Sequence, residues 1–221
     1  VSQEDVRLQF YTVHSQSGAL SKAVLHVLDE ATAVDVQQML ARAVEEKKPG
    51  DTSGVDSGYE ALRAQVRSDG AIHVYLMPRG IGANAWKGDT RDHIQIRRRF
   101  YLLGQTLDGM RIYDVRRAID MLSEEVAKIE VRGDGVMGAI ALYAALGQDS
   151  VQRLVLRDLP KTHRHGPYLL NVRRIWDMPQ ALAMAGATKQ VRLLGNADGF
   201  DYSHQVMDVL GRPDAIQYDS R

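Results

Sequence analysis

The sequence of 221 residues contains no cysteine, which excludes disulfide bonds, thiolate nucleophiles and cysteine-ligated zinc. It has no excess charge of either sign, because 28 Lys and Arg residues balance 28 Asp and Glu residues. Without a net field, we expect no nucleic-acid partner and no attraction to anionic membranes. The chain has no apolar run of the roughly 18 residues needed to span a bilayer, and no signal peptide is visible. Hydrophobic residues make up 44% of the chain and charged residues 25%, which is ordinary for a globular protein.

Apolar strand signals alternate with helical signals along the chain. Strands are predicted at residues 8–13, 23–28, 72–77, 128–131, 151–156, 190–194 and 215–218, with the first at an edge. Helices are predicted at 34–46, 59–66, 107–122, from about 136, at 168–176, after 177 and at 202–210. Asp108 is the expected N-cap of the helix at 107–122, and Asp177 is the expected cap of the helix after it, with Pro179 in the first turn. Residues 47–58 and 81–95 are interpreted as loops. Such alternation predicts a mainly parallel sheet with helices on both faces. We interpret residues 1–221 as one domain. Because the first residue is Val1 rather than Met, we expect a fragment or C-terminal module of a longer protein.

The glycine turn at residues 133–138 is the most informative segment, because a short apolar strand precedes it and an apolar helix follows it. Gly133, Gly135 and Gly138 match the dinucleotide fingerprint G-x-G-x-x-G, in which glycine lets the backbone approach a pyrophosphate. Asp158, twenty residues after Gly138, matches the acidic residue that binds the ribose. However, Asp134 places a negative charge within the turn, and three predicted strands precede the unit. An NAD(P)-dependent enzyme therefore stays as an alternative hypothesis.

Four segments, in order and spacing, resemble landmarks of the α/β-hydrolase fold, particularly its acetyl xylan esterase and prolyl-oligopeptidase-like members. Residues 75–82 (YLMPRGIG) resemble a strand and its RGxG loop, and residues 97–119 resemble the segment and helix before the nucleophile elbow. Residues 133–138 occupy the elbow, and residues 194–198 (LGNAD) resemble the turn that holds the triad acid. The resemblance implies a three-layer α/β sandwich with a sheet of about seven strands. It also implies an exported bacterial protein.

The resemblance assigns catalytic positions, and this sequence departs from the pattern at two of them. Asp198 takes the position of the triad acid, whereas Gly135 takes the nucleophile position and has no side chain to attack a carbonyl. The elbow requires small residues on either side of the nucleophile; Gly133 satisfies one position, and Met137 occupies the other. The triad His is expected after the last strand, where the sequence reads DSR at 219–221.

Two other residues are weak candidates for the missing roles. Asp134 is adjacent to the nucleophile position, although using it would move larger residues into the small positions. His204 follows Asp198 by six residues and could approach the strand ends. His163 and His165 lie in a loop after the predicted strand at 151–156, which the resemblance places at the rim of the site. They form too small a set for a zinc site, so we expect no metal, and we expect no cofactor.

The sequence therefore predicts an α/β-hydrolase-like module that lacks its own catalytic triad and is inactive or weakly active. An active ester hydrolase with an unrecognised or partner-supplied nucleophile or His is the alternative. Another hydrolase domain of the same polypeptide, or a second copy of the chain, is the expected partner. The basic run Arg97 to Arg99 is interpreted as structural, with one arginine pairing Asp114 or a helix C-terminus.

Overall fold

The computed structural model describes residues 6–15, 21–45, 57–195 and 198–219. A seven-stranded sheet with the order β1-β3-β2-β4-β5-β6-β7 forms its centre. The strands are β1 (Phe10–Val13), β2 (Lys22–Val27), β3 (Ala71–Leu76), β4 (Lys128–Asp134), β5 (Val151–Arg157), β6 (Gln190–Leu194) and β7 (Ile216–Asp219). Strand β1 runs antiparallel to β3, and the other neighbouring strands are parallel. The mainly parallel sheet of about seven strands is confirmed.

Helices flank this sheet on both sides. They are α1 (Glu30–Glu45), α2 (Ser57–Asp69), α3 (Thr90–Leu102), α4 (Leu107–Glu125), α5 (Gly135–Ala145), α6 (Met178–Gly186) and α7 (Asp201–Val209). The connection from β2 to β3 runs toward β1, whereas the connections from β3 to β7 run in the opposite direction. Because such crossovers are right-handed, α1 and α2 lie on one face, and α4 to α7 lie on the other. The fold is the expected three-layer α/β sandwich. No helix in the described ranges is long and apolar enough to cross a membrane.

The unit of β4 and α5 lies in the core of the molecule. Every residue of α5 from Met137 to Ala145 is buried, as in a helix that packs on several sides. The side chains of Ile129 and Val131 on β4 point into the same core. A turn between two such buried elements is held rigidly, so β4 and α5 fix the position of the glycine turn.

Three local predictions were wrong. Helix α3 begins inside residues 81–95, which were assigned to a loop. A capping box formed by Asp89 and Asp92 starts this helix. Because the helix buries no residue, its sequence has no apolar periodicity that would have predicted it. Residues 168–176 contain only a short 3-10 helix at Val172–Arg174 rather than an α-helix. The N-cap of α4 is Thr106 rather than Asp108, because the Thr106 hydroxyl accepts the N–H of Gly109.

One face of the sheet is polar toward the β7 edge. Exposed side chains alternate with buried ones along β5 and β6, so that Arg153, Arg157, Gln190 and Arg192 lie on one face, and Gln217 of β7 continues it. The expectation of helices on both faces therefore holds over β2 and β3, whereas the face over β5 to β7 is exposed in the described residues. The loop predicted at 47–58 lies outside the described residues, except for 57 and 58, which begin α2.

Candidate functional site

The glycine turn forms a sharp bend from β4 into α5. Strand β4 ends at Asp134, and Gly135 opens the helix with a φ of 51°. This left-handed conformation favours glycine, since it crowds the Cβ of other residues. A Cβ built on Gly135 meets no heavy atom of the described residues within 4 Å, so these residues leave the space above the bend open. The position that resembles the hydrolase nucleophile therefore has the bend of an elbow and no reactive side chain.

The other two glycines of the turn allow the strand and the helix to approach each other. A Cβ on Gly133 would lie 2.9 Å from the backbone nitrogen of Gly138, and a Cβ on Gly138 would lie 2.7 Å from the Gly133 carbonyl oxygen. Helix–strand packing therefore explains two of the three fingerprint glycines without a nucleotide. Met137 is buried at the position expected to be small, because the close contact falls one residue later, at Gly138.

Carboxylates surround the bend. Burial raises the pKa of Asp134; the Arg157 guanidinium, 3.8 Å away, opposes this shift, and the charges of Asp29 and Asp158 reinforce it. Asp29 follows β2, Asp134 ends β4 and Asp158 follows β5, and the carboxyl ends of these strands meet at one edge of the parallel sheet. An acidic edge repels the oxyanion of acyl transfer and also a pyrophosphate, since both ligands are negative.

Two backbone donors beside the bend are already in use. A hydrolase oxyanion hole uses the N–H after the nucleophile and a second N–H from a loop beside the elbow. The β2–α1 loop is beside the elbow, because Val27 of β2 pairs with Gly133. Its N–H groups are engaged: that of Leu28 donates to the Leu76 carbonyl at 3.0 Å, and that of Asp29 donates to the Thr32 hydroxyl at 3.0 Å.

The remaining predicted site residues lie after β5 and β6. Asp158 has a φ of 47°, donates its N–H to the Leu194 carbonyl and packs its carboxylate against Gly195. Asp198 is exposed just beyond β6, while residues 196 and 197 of the predicted acid turn lie outside the described residues. His204, on α7, packs its ring against Tyr218 of β7, with ring centroids 4.3 Å apart.

The loop after β5 lies directly on the elbow, and sequence reasoning had given it only a rim position. A Cβ on Gly166 would lie 3.2 Å from the Val136 side chain, next to Gly135. The buried His163 ring donates from Nδ1 to the Pro167 carbonyl at 2.8 Å, so its Nε2 accepts the hydroxyl of Tyr143 on α5 at 2.7 Å. Both ring nitrogens are therefore occupied by structural hydrogen bonds. Within the described ranges, no cluster of three or more possible ligands could hold a metal ion.

Comparisons with solved structures agree with this topology. A Bacteroides fragilis protein described as a candidate acetyl xylan esterase aligns over 99% of this chain and 64% of its own, with a TM-score of 0.69 and 14% identity. The acylaminoacyl peptidase of Pyrococcus horikoshii aligns over 97% of this chain and 34% of its own, with a TM-score of 0.55 and 14% identity. A glucuronoyl esterase from Solibacter usitatus aligns over 92% of this chain and 66% of its own, with a TM-score of 0.56 and 12% identity.

These similarities confirm that the chain has the α/β-hydrolase fold. At this level of identity they establish the fold alone. The chain spans 64% and 34% of the lengths of the esterase-like protein from Bacteroides fragilis and the Pyrococcus horikoshii peptidase. No protein-family model and no curated protein matches the sequence.

Proposed function

We propose that this chain is a non-catalytic α/β-hydrolase-fold module. The observation that carries the proposal is Gly135, which occupies the left-handed bend at the end of β4, where a hydrolase places its nucleophile. A glycine offers no atom to form an acyl-enzyme, so the two-step route of nucleophilic catalysis is closed at this position. Loss of triad members reduces turnover by about four to six powers of ten where it has been measured.

The charges around the bend support the same proposal. The charges of Asp29 and Asp158 act on Asp134 at the carboxyl edge of the sheet. An active ester hydrolase needs donors aimed at the developing oxyanion, and each missing donor costs about 3 kcal/mol of transition-state stabilisation. The edge presents carboxylates instead, and the neighbouring loop donors of Leu28 and Asp29 are bonded internally.

The alternative of a hidden ester hydrolase has Asp134 as its strongest candidate nucleophile. This carboxylate is 46% exposed and adjoins the bend, and its nearest cation, the Arg157 guanidinium, is 3.8 Å away. Nucleophilic attack by Asp134 would require the ester carbon to approach a side chain that precedes the apex of the bend. We therefore favour the inactive module and use Asp134 as the discriminating position.

The test combines a fluorophosphonate probe for activated serine with p-nitrophenyl acetate as substrate. We expect no labelling and no turnover above buffer for the parent chain, for Asp134→Asn and for Asp214→Asn, a control away from the bend. Turnover that disappears in Asp134→Asn and persists in Asp214→Asn would overturn the proposal. A rise in melting temperature on addition of NAD or NADP would overturn it in favour of the nucleotide hypothesis.

A non-catalytic module functions by binding a partner. We propose that its partner is a protein: another hydrolase domain of the same polypeptide or a second copy of the chain.

A further inference from the structure

A concave apolar site lies on the outer surface of the carboxyl edge. It is bounded by the end of α3, the N-cap of α4 and the loop after β5, and it has a volume of about 320 Å³. Its apolar lining comes mainly from Tyr101, Tyr168, Leu169, Leu170 and Val172. We refer to this site as the α3 cleft. Its size is at the lower end of pockets that bury a whole ligand group or a large anchoring side chain.

Apolar side chains continue from the cleft onto the surface around it. Leu102 and Leu103, at the end of α3, are 86% and 73% exposed, and Ile175, beyond the lining loop, is 75% exposed. Single exposed apolar residues are ordinary, but a group beside an apolar cavity marks an interaction site. The cleft and its rim therefore have the character of a binding surface.

Among the described residues, no element covers helix α3. None of its 13 residues is buried. A helix of this length is marginally stable alone, so it depends on its capping box and on half-buried contacts such as Phe100 against Trp86. Ile94 and Tyr101 are seven residues apart, so they share a face of the helix, and both are exposed. A partner that covered this face would bury apolar surface that the chain alone leaves in water.

Unpaired arginines define the chemistry of the partner. Arg97, Arg98 and Arg99 on α3, and Arg174 in the cleft lining, have no carboxylate within ion-pair distance among the described residues. Asp114 pairs with Arg79 and not with this run, whereas Arg99 lies in the last turn of α3, the helix C-terminus that was the other expected position. The whole chain is neutral, so this positive charge is local. By charge complementarity, we expect a partner that binds here to present carboxylates.

We propose that the α3 cleft docks a protein segment that presents an apolar anchor side chain flanked by carboxylates. Tyr and Arg are the residues that dominate binding energy in protein interfaces, whereas Lys is depleted there. Residues 90–104 and 166–175 contain tyrosines and arginines and no lysine. The concave shape fits a side-chain anchor better than a bilayer, which is entered by protruding apolar groups. The inference rests on the proposed function only in that the module acts through a protein partner.

The test uses a synthetic helical peptide with Leu and Phe at positions i, i+4 and i+7 and Glu at the flanking positions. Its counterpart carries Lys in place of Glu. By fluorescence anisotropy, we expect saturable micromolar binding of the Glu peptide alone. Tyr101→Ala and Arg98→Glu should each weaken this binding by at least about tenfold, because hot-spot residues carry such effects. Val209→Ala, which truncates an apolar residue on α7 that is 87% exposed, should leave it unchanged.

Each other outcome overturns the docking proposal. No binding of the Glu peptide at millimolar concentration, equal binding of the Lys peptide, or an equal loss in Val209→Ala would show that the cleft does not select an acidic anchor. Binding of anionic phosphatidylserine vesicles in place of the peptide would assign the surface to a membrane. Self-association in analytical ultracentrifugation that Tyr101→Ala abolishes would assign it to a second copy. Ester turnover, measured on the same samples, would overturn the proposed lack of catalysis and leave the docking result unaffected.

Discussion

Arg79 and Asp114 form a buried ion pair that ties the loop after β3 to α4. The backbone nitrogen and Nε of Arg79 donate to Asp114 Oδ2 at 3.1 and 2.8 Å, and Nη2 donates to Oδ1 at 2.6 Å. Both side chains are less than a tenth exposed. Arg111 then donates to the Arg79 carbonyl and pairs with Asp108, which accepts the N–H of Tyr168. This chain of contacts connects the buried core to the loop that lines the α3 cleft.

Removal of Asp114 should therefore destabilise the protein severely. Asp114→Ala leaves the Arg79 guanidinium buried without its carboxylate, and such a loss costs about 3–5 kcal/mol. The exposed pair of Glu60 and Arg63 provides the control, since Glu60→Ala should cost less than about 1 kcal/mol. Urea denaturation of the variants measures the difference in unfolding free energy. Equal losses of unfolding free energy in the two variants would show that the buried pair stabilises the protein no more than the exposed pair does.

The glycines of the elbow should respond differently to alanine. Gly135→Ala meets no neighbouring atom and bears only the cost of a left-handed backbone, about 1–2 kcal/mol. Gly133→Ala places its Cβ 2.9 Å from backbone atoms of α5, so it must also separate the strand from the helix. We expect the larger fall in melting temperature for Gly133→Ala, as measured by thermal denaturation. The reverse order would mean that β4 and α5 do not pack as closely as described.

Two histidines should make the protein sensitive to acid. His26 donates from Nε2 to His73 Nδ1 at 3.1 Å, and His73 Nε2 donates to Asp69 at 3.1 Å. Burial, with the nearby Arg132 and His73, lowers the pKa of His26 from 6.5 to about 3. The folded pKa is below the unfolded one, so the unfolded chain binds more protons between these values. The contribution of neutral His26 to the unfolding free energy is therefore fully present above about pH 6.5 and is lost as the pH falls toward 3.

The measurement is the unfolding free energy as a function of pH in the parent and in His26→Gln. Between pH 6 and 4, the parent should lose up to about 1.4 kcal/mol per pH unit through His26 alone. The slope should become shallower in His26→Gln and should stay as in the parent in His165→Gln, which changes an exposed histidine. Parallel profiles for the parent and His26→Gln would contradict the buried neutral state of His26.

The hydrogen bond between Tyr143 and His163 should hold the loop over the elbow. Tyr143→Phe removes the hydroxyl that donates to Nε2 and leaves a buried acceptor unsatisfied, at a cost of about 1–3 kcal/mol. We expect faster amide exchange at residues 163–168 in this variant, measured by hydrogen–deuterium exchange. Tyr113→Phe, at an exposed position of α4, is the matched control. Unchanged exchange in Tyr143→Phe would show that other contacts hold the loop.

The order of strands and helices was predictable from the sequence because burial acts locally on it. The apolar runs at 23–28 and 72–77 lie within one residue of β2 and β3, and the cap at Asp177 with Pro179 in the first turn begins α6 as predicted. Helix α3 was not predicted because it lacks this burial signal. A helix that buries nothing leaves no apolar repeat, and only its capping box at Asp89 and Asp92 signals its start.

Within the elbow, sequence alone determined what stands at the bend: Gly135 has no side chain, and no packing can supply one. Tertiary structure decided what surrounds it. Asp29 and Asp134 are about a hundred residues apart, and they approach only because β2 and β4 are neighbours in the sheet. The α3 cleft likewise brings together Tyr101, in the connection from β3 to β4, and Leu170, in the connection from β5 to β6. Local patterns specify elements and turns, whereas charge clusters and cavities arise from strand order, which the pattern of a single strand does not encode.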